Sequence, residues 1–311
     1  MIYDLISIGG GPAGVAASVY AARKKLKTLL ITPEWGGQSI VSEKIYNWIG
    51  VESISGAQLA ENFKKHALAN SGKDLELKEG QKVISILPAR TTLAGFVVKT
   101  ESNEEFETKT ILIATGSIRR KLNAINADKL EHKGLTYCAS CDGPLFSDMD
   151  VAVIGGGNAA LESASQLLAY CKSVTIINRS DTFRADKITV DKVLSNPKIK
   201  SINNAEILEI KGDKFVEGLI YKDINTNEQK ELAVAGIFVE IGQIPNTSFA
   251  KELVQTDDGG KIKIDPWTGK TETAGVWAAG DCTNILYHQN NIAAGDAVRA
   301  LEDIYVSLHA K

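Results

Sequence analysis

Two glycine-rich turns, each placed between a strand and a helix, constrain this chain more than any other feature. Residues 3 to 8, Tyr-Asp-Leu-Ile-Ser-Ile, form a short β-rich run that meets Gly9-Gly10-Gly11-Pro12-Ala13-Gly14 and then an Ala/Val-rich stretch of helical character to Arg23. Lys27 to Thr32 supplies the next strand, so G-x-G-x-x-G falls inside a complete βαβ unit. Gly9 permits the tight turn, Gly11 lets the backbone meet a pyrophosphate, and Gly14 lets the helix pack on the strand. The helix N-terminus, with Pro12 and Ala13 in its first turn, attracts the negative charge. The pattern recurs where Val151-Ala152-Val153-Ile154 runs into Gly155-Gly156-Gly157-Asn158-Ala159-Ala160, a helical stretch to about Tyr170, and a strand at Val174 to Ile177. One such motif can be a tight βα turn and nothing more; two with correct flanks imply two bound dinucleotides.

At roughly 150 residues per domain, 311 residues make about two domains, each able to bury its own core. The buried-type strand Thr110 to Ser117, ending in the Ala114-Thr115-Gly116 turn, marks one crossing. Gly236 to Gly242 followed by Ile244-Pro245-Asn246 marks the other. The expected fold is α/β, with two Rossmann-like dinucleotide-binding domains, the second inserted into the first. Residues 1–115 and 246–311 would form the first domain and 116–245 the second.

Composition excludes several partners. Lys plus Arg total 35 against 38 for Asp plus Glu, so no basic excess exists to track nucleic acid or an anionic bilayer. No apolar run reaches the ~18 residues of a membrane helix, and the chain enters its first strand without a charged leader, which sets the expectation of a cytoplasmic protein. Four cysteines are too few for a secreted disulfide framework, but Cys138 and Cys141 are spaced C-x-x-C, which reads as redox chemistry. A zinc site would need two further ligands, whereas Cys171 and Cys282 are isolated and the four histidines form no ligand pair, so no metal is expected. Cys171 and Cys282 read as small buried residues.

A third signature, Val276-Trp277-Ala278-Ala279-Gly280-Asp281, is a strand ending in Gly-Asp ahead of a final helix beginning near Asn290. Together with both glycine motifs, the Ala114-Thr115-Gly116 turn and Cys138-Ala139-Ser140-Cys141-Asp142, it resembles the low-molecular-weight thioredoxin reductase family over essentially the whole chain. Cys138 to Phe146 and Gly280-Asp281-Cys282-Thr283 look particularly like the reductase portion of alkyl hydroperoxide reductase flavoproteins. The resemblance implies FAD in the first domain, held by Gly9, Gly11, Pro12, Ala13 and Gly14, with Gly37, Gln38, Asn47, Ala114, Thr115, Gly116 and Gly280 beside it. Asp281 would bind the ribitol or pyrophosphate region, and Gln289 and Asn290 would bring the last helix N-terminus to the flavin's pyrimidine end. Without the family match, Gln38, Asn47 and Gln289 read equally as turn or capping polarity. Glu34, near the end of the second strand, is a weak candidate for the ribose.

NADH or NADPH would occupy the second domain through Gly155, Gly157, Asn158, Ala159 and Ala160. Where NADPH-dependent members of the family carry His-Arg-Arg and a further Arg, this chain has Asn178-Arg179-Ser180 and Arg184. Arg179 and Arg184 could still meet a 2'-phosphate, and Asn178 could serve as a neutral hydrogen-bonding group, so a relaxed or NADH-leaning donor preference is expected. By resemblance Cys141 faces the flavin, Cys138 attacks the partner and Asp142 moves protons during exchange. The implied activity carries electrons from nicotinamide through FAD and the Cys138–Cys141 disulfide to a thioredoxin-like or glutaredoxin-like protein, in a homodimer whose inserted domain rotates between steps. A reductase serving a peroxiredoxin system, a dithiol oxidase, and a flavin-bound dithiol sensor without turnover remain as alternatives.

Overall fold

A computed structural model of the chain describes residues 1–42, 44–89 and 95–309. The last two positions of the expected first domain, 310 and 311, lie outside them. The fold begins with strand β1 (Ile2–Gly10), helix α1 (Pro12–Arg23) and strand β2 (Thr28–Trp35), the first βαβ unit. Helix α2 (Gly56–Ala69) leads to β3 (Leu75–Glu79), and β4 (Val83–Pro88), β5 (Phe96–Thr100) and β6 (Glu105–Ile113) follow. Strand β7 (Ser117–Arg119) then crosses into the inserted unit.

That unit, Arg119–Gln243, contains the short helix α3 (Ala127–Leu130), strand β8 (Leu135–Thr136) and the single-turn helix α4 (Ala139–Asp142). Its βαβ unit is β9 (Asp150–Ile154), α5 (Asn158–Leu167) and β10 (Ser173–Ile177), continued by α6 (Lys187–Leu194) and β11 (Ile199–Ile202). An antiparallel meander of β12 (Ala205–Lys211), β13 (Gly218–Asp223) and β14 (Gln229–Ala233) precedes β15 (Gly236–Val239). Strand β16 (Gln243–Pro245) pairs with β7, so the outgoing and returning crossovers form one two-stranded ribbon. The first unit, Met1–Ile118 and Ile244–Lys311, is completed by β17 (Val276–Ala278) and α7 (Asn290–His309).

The first unit's sheet has β1 at its centre, between β2 and β6, and all three run parallel. On the edge away from β1, strand β6 serves two partners along its length. Its early residues pair antiparallel with β5, whereas Ile111 to Ile113 pair parallel with β17. Side chains alternate between two cores as a strand requires. Leu5, Leu112 and Trp277 face the alanine-rich helices α1 and α7, while Ile6, Ile111, Ile113 and Val276 pack on the opposite face. Ala13, Ala17, Ala21, Ala293, Ala297 and Ala300 let the two helices approach each other and the sheet closely. The inserted unit repeats this plan with the parallel order β11-β10-β9-β15-β8. Both sheets present their C-terminal strand ends to the glycine turns, the place where doubly wound folds bind ligands.

Trp277 is 1 % exposed, and its Nε1 donates to Asp303 Oδ2 at 2.9 Å. Trp277→Ala removes the largest fully buried side chain among the described residues and one of two partners of Asp303 Oδ2, the other being Lys270 Nζ at 2.8 Å. It should cost about 3–5 kcal/mol, read as a lowered urea midpoint for the first unit.

Candidate functional site

In the first unit the glycines of the turn are separable by what a side chain would meet. A Cβ at Gly9 would lie 2.3 Å from the Ala114 carbonyl oxygen, and one at Gly14 would lie 1.8 Å from the Gly9 carbonyl oxygen. Gly9 also takes φ +123°, which disfavours any side chain. A Cβ at Gly11 would meet nothing within 4 Å, so this glycine faces open space at the helix mouth. Gly11 caps α1 with no side-chain hydrogen bond, Pro12 opens the helix, and no acidic residue occupies its first turn. A glycine-lined mouth with main-chain N–H groups and no competing carboxylate fits a pyrophosphate.

Polar groups gather along the same strand ends. A Cβ built on Gly37 would have the Gly11 Cα as its sole neighbour within 4 Å, at 3.7 Å. Gln38 Nε2 donates to the Ser117 carbonyl oxygen, Ser39 Oγ donates to Asn290 Oδ1 at 2.8 Å, and Asn47 Nδ2 donates to Gln289 Oε1 at 3.0 Å. Thr115 Oγ1 donates to the Asn246 carbonyl at 2.7 Å, and Asn246 N returns a bond to the Gly116 carbonyl at 3.0 Å, fixing the turn after β6. Gly280 is a packing glycine, because its Cβ would stand 3.2 Å from Ala293 and 3.5 Å from Ala13. Next to it, Asp281 Oδ1 lies 3.4 Å from His288 Nδ1, whose Nε2 is 2.7 Å from Lys261 Nζ. Burial pushes the Lys261 ammonium below its ordinary pKa, opposed by the charges of Asp281 and Asp257. Glu34 is exposed near the end of β2.

The second unit repeats the glycine logic. A Cβ at Gly155 would lie 2.3 Å from the Glu240 carbonyl oxygen, whereas one at Gly157, the uncapped start of α5, would meet nothing within 4 Å. Asn158 Oδ1 accepts from Asp186 N at 2.9 Å, and Ala160 is buried under the turn while Ala159 is exposed. Asn178 bonds within its own loop. It is 5 % exposed, its Nδ2 donates to the carbonyls of Ser180 and Thr182, and its Oδ1 accepts from Ser180 N. A buried amide must satisfy its own donors, and the loop's carbonyls take both. Asn178 thus shapes the loop that carries the exposed Arg179 and Arg184, and Arg184 N ties that loop to the Gly156 carbonyl at 2.7 Å.

Sequence reasoning missed Glu240, at the end of β15 beside Gly155. Its Oε1 accepts from Ser163 Oγ at 2.8 Å, and burial raises its pKa, against the Ser163 bond and the Arg119 charge. The available signal was a carboxylate closing the apolar run Ile237-Phe238-Val239 at the ligand-facing end of a parallel sheet.

Cys138 and Cys141 form a disulfide at the start of α4. Cys138 caps that turn, its Sγ accepting from Cys141 N at 3.2 Å, and Asp142 N donates to the Cys138 carbonyl at 3.1 Å. Cys141 is exposed, Cys138 and Asp142 are half-buried, and the Asp142 carboxylate accepts from the Thr136 hydroxyl. Cys171 and Cys282 are fully buried, with thiol pKa values pushed up to about 11 by burial, which keeps them protonated and out of thiolate chemistry.

Two outcomes follow from this geometry. Gly11→Ala should keep the thermal midpoint near the parent's while lowering retained flavin, and Gly14→Ala should lose the midpoint itself; equal effects of the two in a melting and absorbance comparison would contradict the separation. Glu240→Gln keeps an acceptor for Ser163 and removes the half-buried charge. A glutamate whose folded pKa is raised favours the fold most below its unfolded pKa, and stability declines as pH rises from there through the folded value. The variant should therefore gain stability over the parent at neutral pH and lose that gain in acid, measured by urea unfolding at several pH values.

The pyridine nucleotide-disulphide oxidoreductase family model matches residues 3–299. The chain is 36% identical over 304 residues to a thioredoxin reductase of Mycolicibacterium smegmatis, covering 97% of this chain and 95% of that protein. It is also 36% identical over 299 residues to an alkyl hydroperoxide reductase component of Pseudomonas aeruginosa, covering 96% of this chain but spanning only 57% of that protein's length. The solved thioredoxin reductase of Giardia duodenalis superposes with a TM-score of 0.92 at 32% identity, over 99% of both chains. By family match, sequence and fold alike, the chain belongs to the pyridine nucleotide-disulphide oxidoreductases, in their thioredoxin reductase branch.

Proposed function

We propose that the chain is an FAD-dependent NAD(P)H:protein-disulfide oxidoreductase that reduces a thioredoxin-like or glutaredoxin-like protein. The observation that carries the reading is the Cys138–Cys141 disulfide, partly exposed beside Asp142, in a chain that also builds two separate dinucleotide cradles. FAD, when bound, supplies two-electron transfer between a nicotinamide and a disulfide. Gly9, Gly11 and Gly14 with the N-terminus of α1 would hold its pyrophosphate, with Asp281, Gln38, Asn47, Gln289 and Asn290 beside it. Gly155, Gly157 and the N-terminus of α5 would hold the nicotinamide dinucleotide, with Arg179 and Arg184 on the loop beside it.

The residues of the redox turn then act by thiol–disulfide exchange. In the reduced pair the Cys138 thiolate attacks one sulfur of the partner's disulfide, forming a mixed disulfide and releasing one partner thiolate. Cys141 attacks Cys138, restoring the enzyme disulfide and releasing the second partner thiolate, and Asp142 carries a proton to the departing sulfur. The reading extends to a homodimer working in the cytoplasm, supported by the family kinship; among the described residues no helix is long and apolar enough to cross a membrane. Kinship with the alkyl hydroperoxide reductase component supports a second reading with the same chemistry, in which the dithiol feeds a peroxidase through a small carrier protein.

Anaerobic titration of the flavin by NADH and by NADPH, followed by oxidised thioredoxin or a glutaredoxin-like protein, tests both donor and acceptor. Both nucleotides should bleach the flavin, with less than about a hundredfold selectivity for NADPH, because two of four expected charge-assisted contacts are missing. Cys138→Ser and Cys141→Ser should each abolish partner reduction while flavin remains bound and reducible. Loss of flavin reduction in these variants would overturn the order of transfer, and bleaching without any partner turnover in the parent would favour a sensor.

A further inference from the structure

We propose that Thr136 is a positioning residue for proton transfer at the redox turn, holding the Asp142 carboxylate and the Cys138 main chain on one hydroxyl; the inference rests on the disulfide-exchange reading above. Thr136 is 6 % exposed at the end of β8, and β8 is registered on β15 through Leu135↔Ile237 and Thr136↔Phe238. Its backbone is therefore fixed by the sheet, unlike the exposed turn that follows. A threonine hydroxyl has one proton and two lone pairs, and an ionised carboxylate only accepts. The proton of Thr136 goes to Asp142 Oδ2, and a lone pair of the same oxygen receives Cys138 N–H at 3.4 Å. One side chain thus links the acid–base group to the cysteine assigned to attack.

The remaining anchors of the turn are local or lie on the other side. Cys141 N and Asp142 N bond back to Cys138, and Ser140 Oγ reaches Gln166 Oε1 on α5 at 3.2 Å. None of these touches the Asp142 carboxylate. Among the described residues Thr136 is the group that selects its orientation, and a carboxylate free to rotate toward water would serve departing thiolates less often. The other charged or titratable groups near this turn do not replace the hydroxyl: Tyr137 directs its oxygen to Leu122 N at 3.5 Å, and Cys138 and Cys141 are paired with each other.

The test uses Thr136→Val, which keeps the shape and removes the hydroxyl, with Thr136→Ser as the conservative partner and Thr136→Ala as a second deletion of the hydroxyl. In the flavin-loaded full chain, Thr136→Val and Thr136→Ala should reduce the partner disulfide about ten- to a hundredfold more slowly in kcat, with partner KM and nicotinamide-driven flavin bleaching unchanged. The kcat profile against pH should change in both, and Thr136→Ser should restore rate and profile to within about threefold of the parent. Parent-like exchange and pH profile in either deletion would overturn the proposal, as would an equal loss in Thr136→Ser. A slower rate with an unmoved pH profile would also overturn it, since that is the mark of a purely structural hydroxyl. A parent that bleaches but reduces no partner disulfide would instead defeat the exchange reading on which it rests.

Discussion

A close approach between a carbonyl oxygen and an α-carbon governs the ligand-facing end of the first unit. Gly14 enters α1 so near the Gly9 carbonyl oxygen that a methyl group there would stand at 1.8 Å, inside any permissible contact. That approach sets the height of α1 over β1, and with it the direction in which the helix N-terminus points. It also leaves Gly9 against the Ala114 carbonyl, so the turn after β6 is placed by the turn after β1. The second unit uses the same solution with different atoms, since Gly155 stands against the Glu240 carbonyl and the Ala160 methyl, the tolerated variant of the third glycine, lies 3.0 Å from the Cβ position of Gly155. Two ligand cradles are thus a consequence of backbone sterics before any side chain takes part.

Those sterics are why the fold was legible in the sequence. Glycines at fixed spacing between an apolar strand and an alanine-rich helix leave few alternatives, and β1, α1, β9 and β10 fall on the segments the pattern marks. The limits of such reading are visible at element ends. β2 continues through Pro33 and Glu34 to Trp35, because the Thr32 hydroxyl bonds the Glu34 carbonyl and Trp35 pairs with Gly10 across the sheet. α5 ends at Leu167, short of Tyr170, where the chain turns through successive bonds from Ala169, Tyr170 and Cys171. Periodicity carries no information about turn hydrogen bonds and strand pairings of this kind.

The site was legible where it depends on residue type at a fixed spacing and illegible where it depends on what a side chain has already bonded. Cys138 and Cys141, joined here in a disulfide, are marked by their separation alone, and Gly11 and Gly157, which face open space, by their place in the motif. Thr136 and Glu240 carried no motif. The first matters because β8 puts its hydroxyl beside Asp142, and the second because the end of β15 lies against Gly155 and α5. The second contact does not follow from sequence distance, since Ser163 and Glu240 are 77 residues apart.

Asn178 shows how the same limit changes an argument about specificity. Read as a sequence, it occupies a strand-end position whose side chain would address a ribose or a phosphate. In the fold its amide is spent on the carbonyls of Ser180 and Thr182, while Arg184 N secures the far end of the loop to Gly156. The loop backbone is therefore set by internal hydrogen bonds, and on the proposed function discrimination between the two nicotinamide donors would fall to the side chains displayed on it. Of these, Arg179 and Arg184 are exposed cations, and each charge-assisted bond to a phosphate is worth roughly 1.5–3 kcal/mol. Removing the Asn178 amide would disturb the frame that presents both arginines, so its effect on donor choice would arrive through the loop and not through a lost ligand contact. On the proposed reading, donor selectivity would rest on two exposed cations carried by a hydrogen-bonded loop, which favours adaptation to either nucleotide over rejection of one.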